Sequence, residues 1–296
     1  MKQSKSKKSI LSLNPIPTTS NLKPLLKWPG GKFRIAWRIA PYYDRQLRYV
    51  PLFAGGLGDV IALNPDRVLA NDSWAPVINL YNQIKLGLEP HFEMVGTEAE
   101  FNKRRLEFNQ RAIDGDEQSA ETANLLYYHN KTGYNGLVRC NNKGWSNVPH
   151  GKPDKQKWHL YKPDFSDYHK YLTNFADYRE AFKNWEFTCG DFADVPIAHD
   201  DFLYADPPYD PIAKSGKSLT YTQGFDWAAQ VRLAEFLASK PNPVVASNYA
   251  TPRIVELYSG LGFTVTTFET KTSISCNGGD RGNVITEMLA TKNIKQ

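Results

Sequence analysis

Arg48-Tyr-Val-Pro-Leu-Phe-Ala-Gly-Gly-Leu-Gly-Asp-Val-Ile-Ala-Leu63, followed closely by Arg67-Val-Leu-Ala-Asn-Asp72, decides the fold. The apolar run Arg48–Phe53 predicts a strand, Gly55–Gly58 a tight turn, Asp59–Leu63 the start of a helix, and Arg67–Ala70 a second strand ending at Asn71 and Asp72. Strand, turn, helix and strand in so short a span make a βαβ unit. Such units build an open, twisted α/β sheet whose ligands lie beyond the carboxyl ends of the strands.

The alternation resumes downstream. Asp201–Ala205 reads as a strand running into Asp206, Ala228–Ser239 as a helix, Pro243–Ser247 as a strand and Arg253–Ser259 as a helix. Phe263–Lys271 and Asn283–Thr291, separated by a Gly-rich turn at Asn277–Gly279, read as an antiparallel hairpin on the edge of a mostly parallel sheet. Three polar turns therefore fall at strand ends: Gly55–Asp59, Asp72 and Asp206–Tyr209. Between Tyr81 and about Phe175 the sequence turns polar, aromatic and Asn-rich, with a charged helical stretch at Glu98–Arg111. This predicts a basic disordered tail at 1–21, an α/β domain from 22–80 and 176–296, and an inserted, mainly helical domain at 81–175.

The chain has 296 residues, 41% of them hydrophobic, enough to bury a core without disulfide or metal staples. Its three cysteines, Cys140, Cys189 and Cys276, form no CxxC pair, which points to a reducing compartment and away from a zinc site or disulfide framework. No stretch has the length and apolarity of a membrane span, and the apolar patch at Ile10–Leu13 is too short for a signal peptide, so the expected location is the cytoplasm. The six histidines show no ligand spacing, and Asp114-Gly-Asp-Glu117 reads as a solvated loop, so no metal site is expected.

Lys2, Lys5, Lys7 and Lys8 supply four of the five net positive charges, so the overall charge says little about partners. Its distribution says more. Residues 127–162 hold seven cations against the single Asp154, interleaved with Tyr127, Tyr128, Tyr134, Trp145, Trp158 and Tyr161, whereas residues 186–210 hold seven carboxylates and no Lys or Arg. A phosphate backbone would be drawn to the first window and repelled by the second, although two solvated loops of opposite sign would give the same counts.

Three segments carry possible chemistry. In Asp206-Pro-Pro-Tyr209, two prolines hold the chain extended and let the Pro207 carbonyl project beside the Asp206 carboxylate. Two such acceptors take both protons of a planar exocyclic amine, favour a pyramidal nitrogen and aim its lone pair at an electrophile, while Tyr209 offers a stacking face. The same stretch also reads as an ordinary turn after a strand. Phe53-Ala-Gly-Gly-Leu-Gly-Asp59, with Asp72 ending the next strand, suits close backbone approach to a ligand and an acid on a ribose hydroxyl pair. The dinucleotide and Walker glycine patterns both fail here, so neither NAD nor ATP is supported. Leu26-Lys-Trp-Pro-Gly-Gly-Lys-Phe33 packs an indole, two cations and a glycine pair together, as a flat ligand with a carboxylate would require or as a turn before a helix would.

Taken together and in this order, these segments resemble the Dam family of DNA adenine-N6 methyltransferases, in which an LLKW-x-GGK segment comes first, a Phe- and Gly-rich cofactor loop second, a target-recognition insertion third and DPPY last. Gly133–Arg139, Asn147-Val-Pro149, Tyr221-Thr222, Ser247-Asn248 and Ser273–Gly279 with Arg281 also resemble family segments. The resemblance implies a Rossmann-like methyltransferase sheet with an inserted target-recognition domain containing a β-hairpin. It implies an S-adenosylmethionine site containing Trp28, Lys32, Phe53, Gly55, Asp72 and Asp206, with Asp72 on the ribose hydroxyls, Trp28 and Lys32 near the methionine end and Phe192 at the cofactor adenine. Asp206, Pro207, Pro208 and Tyr209 would hold the target base.

In the insertion, the resemblance makes Tyr134 and Asn135 wedge residues, Arg139 a base contact together with Lys27 from the first motif, and Lys131, Asn141 and Asn147 phosphate contacts. The implied partner is double-stranded DNA in a bacterial cell, with host or phage encoding and nucleoid association, no membrane and no obligate protein partner. Two departures stand out. Pro51-Leu52-Phe53 replaces the family's Glu-Pro-Phe and removes an acidic contact near the cofactor, and Lys152 replaces an arginine whose bidentate contact a lysine cannot reproduce. GATC is thus the leading target, with relaxed specificity the variant reading. The competing readings are a cytosine-N4 methyltransferase, a DNA-binding module without turnover, and an NAD-linked oxidoreductase resting on the glycine loop alone.

Overall fold

The computed structural model describes residues 22–90, 97–137, 141, 146–151, 175–210, 225–271 and 284–294. Seven strands form one sheet: β1 (Arg48–Pro51), β2 (Val68–Asp72), β3 (Trp185–Cys189), β4 (Asp201–Ala205), β5 (Val244–Tyr249), β6 (Thr264–Lys271) and β7 (Val284–Lys292), in the order β3-β2-β1-β4-β5-β7-β6. The first five pair in parallel, while β7 runs antiparallel to both β5 and β6. The expected mostly parallel sheet with an antiparallel edge hairpin is what forms; the turn at Asn277–Gly279 lies outside the described residues.

The order fixes where a ligand sits. From β1 the chain builds outward through β2 and β3 on one side, then returns to β4 on the other side of β1. The loops leaving β1 and β4 therefore diverge and open a crevice at the carboxyl end of the sheet. The Gly55–Gly58 turn follows β1 and Asp206 follows β4, so both line that crevice.

Both faces of the central strands β1, β2, β4 and β5 are buried, and alternate side chains go to opposite cores. Tyr49, Phe202, Tyr204 and Val245 pack with α1 (Gly58–Leu63), α2 (Ala75–Lys85), α4 (Ala120–Thr132) and α5 (Phe175–Ala181). Val50, Leu203, Ala205, Val244 and Ala246 pack with Leu233, Ala234 and Leu237 of α6 (Trp227–Ala238) and with Ile254 and Tyr258 of α7 (Pro252–Gly260). Phe108 of α3 (Glu98–Ile113) joins the first core with Leu125 and Leu126 of α4, so the helical part of the insertion shares the core of the sheet.

Local chemistry sets the helix ends. Thr97 and Ser119 cap α3 and α4 by accepting N–H bonds from Glu100 and Thr122, and Asp226 caps α6 by accepting from Ala229. The charged stretch read at Glu98–Arg111 is α3. By contrast α2, α4, α5 and β3 escape the sequence pattern. In α4 every residue from Thr122 to Asn130 is buried, including Asn124, His129 and Asn130, so no polar face exists to give a helical period. Within the insertion's expected hairpin, the described residues contain one antiparallel bridge, between Gly133 and His150.

Candidate active site

Asp72 ends β2 and is buried in the crevice. Its Oδ2 accepts the Gly55 N–H at 2.8 Å and its Oδ1 accepts the Trp74 N–H at 3.0 Å, which locks the glycine turn to the next strand. Burial pushes the carboxyl upward in pKa, opposed by these backbone bonds. Gly55 adopts φ +45°, and a Cβ there would meet the Trp28 Nε1 at 2.5 Å, so the indole packs directly on the turn. The buried Tyr81 donates its hydroxyl to the Gly55 carbonyl at 2.5 Å from beneath. Nothing in the sequence pattern flagged that tyrosine.

On the other side of the crevice, Phe53, Phe192 and Phe225 form an aromatic group, with centroids of 5.8 Å for Phe53 and Phe192 and 5.6 Å for Phe53 and Phe225. Arg232 lies over the Phe192 ring at 4.2 Å and pairs through both nitrogens with Asp191. A carboxylate with spare lone pairs on one flank and aromatic faces on the other match a nucleoside's ribose hydroxyls and purine. This pairing of acceptor and aromatic faces thus fits S-adenosylmethionine.

Asp206 leaves β4 in the middle of the mouth. Its Oδ1 accepts the Ser247 hydroxyl at 2.7 Å and lies 2.9 Å from the Lys32 Nζ. Both bonds fall on Oδ1; Oδ2 receives no protein donor among the described residues. Lys32, only 4% exposed, also donates to the Gly30 carbonyl at 2.6 Å and lies 4.7 Å from the centroid of the Tyr209 ring. Gln230 Nε2 takes the Pro208 carbonyl at 2.8 Å, and Asn248 in turn holds Gln230. Tyr209 packs edge-on against Tyr249 and donates its hydroxyl to Glu287 Oε2 at 3.1 Å. Burial raises the Glu287 carboxyl, and the Lys32 charge pulls it back. Burial likewise pushes Asp59, behind the glycine turn, to about 6, against the Tyr49 hydroxyl that donates to it.

Trp28, Lys32, Phe53, Gly55, Asp72, Phe192, Asp206 and Tyr209 are thus brought around one crevice, while Ser247, Glu287, Tyr81 and Gln230 complete it. Of the insertion residues, Tyr134 begins a short turn, Tyr134–Gly136, its N–H donating to the Pro149 carbonyl at 2.9 Å. Asn130, unremarked in the sequence, clamps Lys27 by accepting its backbone N–H at 2.8 Å and donating to its carbonyl at 2.7 Å. Lys131 Nζ donates to the Leu25 carbonyl at 2.6 Å, and burial with the nearby Lys27 charge lowers it to about 8. Its ammonium is directed into the protein. Asn147 is exposed and Asn141 half-buried. Arg139, Lys152, Tyr221-Thr222, Ser273–Gly279, Arg281 and the Asn135 side chain lie outside the described residues.

A family model described as D12 class N6 adenine-specific DNA methyltransferase matches residues 28–274. The chain is 30% identical to Type II methyltransferase M1.LlaDCHI of Lactococcus lactis subsp. cremoris, over 92% of this chain and 95% of that protein. It is 32% identical to the DNA adenine methylase of Escherichia coli strain K12, over 90% of this chain and 94% of that protein. Similarity to the DNA N-6-adenine-methyltransferase of Escherichia phage P1 is 29% identity, over 90% of this chain and 35% of that protein. Among the described residues no helix is long and apolar enough to cross a membrane.

Proposed function

The chain belongs to the D12 class of N6 adenine-specific DNA methyltransferases, and from that premise we propose that it methylates an adenine extruded from duplex DNA, using S-adenosylmethionine. The observation that carries this reading is the asymmetry of Asp206, whose Oδ1 is taken by Lys32 and Ser247 while Oδ2 is left to an incoming donor. The cytosine-N4 reading loses its footing, because the family model and two of the reported relatives are named for adenine.

Bound S-adenosylmethionine supplies an electrophilic methyl group whose leaving group is a neutral thioether. The chain's residues do the rest. Asp206 Oδ2 and the Pro207 carbonyl accept the two N6 protons, Gln230 having taken the neighbouring Pro208 carbonyl. That geometry favours a pyramidal nitrogen with its lone pair aimed away from both acceptors. Asp206 stabilises the positive charge developing on N6 and need not deprotonate neutral adenine first; once the N–C bond has formed and the thioether has left, the methylated nitrogen gives up its extra proton through Asp206 to solvent. Tyr209, fixed by Glu287 and Tyr249, presents a face to the base. Asp72 holds the ribose hydroxyls, Trp28 and Lys32 line the methionine end, and Phe53 and Phe192 enclose the cofactor adenine.

Residues 22–80 and 176–296 carry this chemistry, and 81–175 read the DNA: Tyr134 and Asn135 as the wedge, Arg139 at base edges together with Lys27 from the first segment, and Asn141 and Asn147 toward phosphates, while Lys131, its ammonium held by the Leu25 carbonyl, is not among the phosphate contacts. GATC is the proposed target, with Lys152 loosening its recognition. The test is transfer of labelled methyl from S-adenosylmethionine to duplexes with GATC or permuted sites, followed by digestion to nucleosides. N6-methyladenine concentrated in GATC duplexes is expected. Label on cytosine, or equal labelling of an adenine in every context, would overturn the base assignment or the GATC assignment respectively.

A further inference from the structure

We infer that Arg38, pinned between Trp37 and Phe268, grips a backbone phosphate of the duplex flanking the target. This inference rests on duplex DNA being the substrate, and it concerns residues outside every motif discussed above.

The Arg38 guanidinium carbon lies 4.2 Å from the centroids of both the Trp37 and the Phe268 rings. Among the described residues no carboxylate lies within ion-pair distance of it. The planar fork is held by ring contacts on Trp37, which is 45% exposed, and on Phe268, which packs against the first core. An arginine fixed by its faces keeps its N–H edges for a ligand and loses little entropy on binding one, which suits a phosphate better than a flexible lysine does. Nearby charge agrees in sign: Arg34, in the preceding turn, is exposed. Glu269 neighbours Phe268 on β6, and strand alternation turns it to the opposite face. Glu287, buried and accepting from Tyr209, feels the Arg38 charge but forms no ion pair with it.

Sheet register puts this cluster at the level of the active site. Phe268 pairs across to Glu287, Glu287 pairs to Tyr249, and Tyr209 bridges that row through its bond to Glu287 and its packing on Tyr249. From β4 to β6 is three strand steps, about 14 Å, or roughly four base-pair steps at about 3.4 Å each. A duplex whose target base enters beside Asp206 therefore passes this rim with its flank.

Arg38→Met keeps the stem that covers Phe268 and removes charge and fork, while Arg38→Lys keeps charge alone. Binding of each to a target duplex is followed from about 50 to about 200 mM salt, alongside methyl transfer and thermal melting. Arg38→Met is expected to weaken binding roughly fivefold to tenfold and to reduce the salt slope by about 0.9. Turnover at saturating DNA, cofactor affinity and Tm stay at wild-type values, and Arg38→Lys restores the slope but only part of the affinity. Trimming the duplex to about three base pairs on one side of the target should erase the difference between wild type and Arg38→Met. Wild-type affinity and slope in Arg38→Met, a lowered Tm with an unchanged slope, or a difference surviving trimming on either side would each overturn the inference. A wild-type protein that fails to methylate DNA would sink the function itself and this contact with it.

Discussion

The Lys32 ammonium bridges the Gly30 carbonyl at 2.6 Å and Asp206 Oδ1 at 2.9 Å, tying the segment ahead of the sheet to the end of β4. Two pieces of chain far apart in sequence thus share one charge in the crevice, and Ser247 from β5 adds a second hold on the Asp206 Oδ1. The pairing selects which carboxylate oxygen stays open, so the polarity of the mouth depends on Lys32 as much as on Asp206.

Lys32→Met should leave Asp206 supported by Ser247 alone. A hydrogen bond to a charged group contributes about 1.5–3 kcal/mol, so turnover should fall roughly 10- to 100-fold. Single-turnover methyl transfer at saturating DNA and cofactor measures the loss; a wild-type rate would show that the ion pair does not orient the carboxylate.

Asp206→Asn keeps the shape of the side chain and removes its charge. Transition-state stabilisation by one such group is worth about 10²- to 10³-fold in rate, and methyl transfer should drop by at least that much. Cofactor binding, measured calorimetrically, should survive because Asp72 and the aromatic group are untouched. Full activity in this variant would remove Asp206 from the chemistry.

The sheet was legible because Arg48–Phe53, Arg67–Ala70, Asp201–Ala205 and Pro243–Ser247 are apolar runs bounded by turn residues, as strands buried on both faces must be. β3 was not, since its edge position leaves Glu186 and Cys189 exposed and breaks the run. The crevice residues at strand ends could be named from motif order, whereas Glu287 and Tyr81 could not. Each sits in the middle of its element, and only cross-strand register or helix packing shows what it faces. Lys131 illustrates the opposite limit: sequence gives its charge, but the Leu25 carbonyl that receives its ammonium is visible only in the fold.

Glu287 should act through the Tyr209 hydroxyl. Glu287→Gln retains an acceptor and should keep turnover within about twofold of wild type, while Glu287→Ala and Tyr209→Phe should each lose roughly 5- to 10-fold, the worth of about one hydrogen bond. The double variant should be no slower than Tyr209→Phe alone, because both changes break one interaction. Additive losses in kcat would show that Glu287 works by another route.

Gly136 has φ +63°, and a Cβ there would lie 2.3 Å from the Lys27 Cβ, with the Lys27 backbone already clamped by Asn130. Gly136→Ala must therefore displace either the Tyr134–Gly136 turn or Lys27, at about 1–3 kcal/mol of local strain. The KM for DNA should rise several-fold while cofactor affinity holds. Equal loss of both would mean that the turn supports the whole crevice.

His129 points from α4 to α3, edge-on to Phe101 at 5.1 Å and tilted to Phe108 at 5.6 Å. Burial lowers its pKa from 6.5 to about 4, outweighing the nearby Arg104 backbone that favours the charged ring. Between those two values the unfolded chain binds the extra proton, so this group's contribution to stability is full above about 6.5 and is lost as pH falls toward about 4. The loss can reach about 3 kcal/mol. Asp59 titrates with the opposite sign: its pKa is raised from 3.8 to about 6, so its contribution is full below about 3.8 and fades as pH rises through about 6. The two slopes partly cancel in the raw stability curve. The signature is therefore the difference between wild type and His129→Leu in urea unfolding, which should be flat above pH 7 and turn against the wild type on acidification. A difference independent of pH would show that the imidazole titrates alike in the folded and unfolded chains.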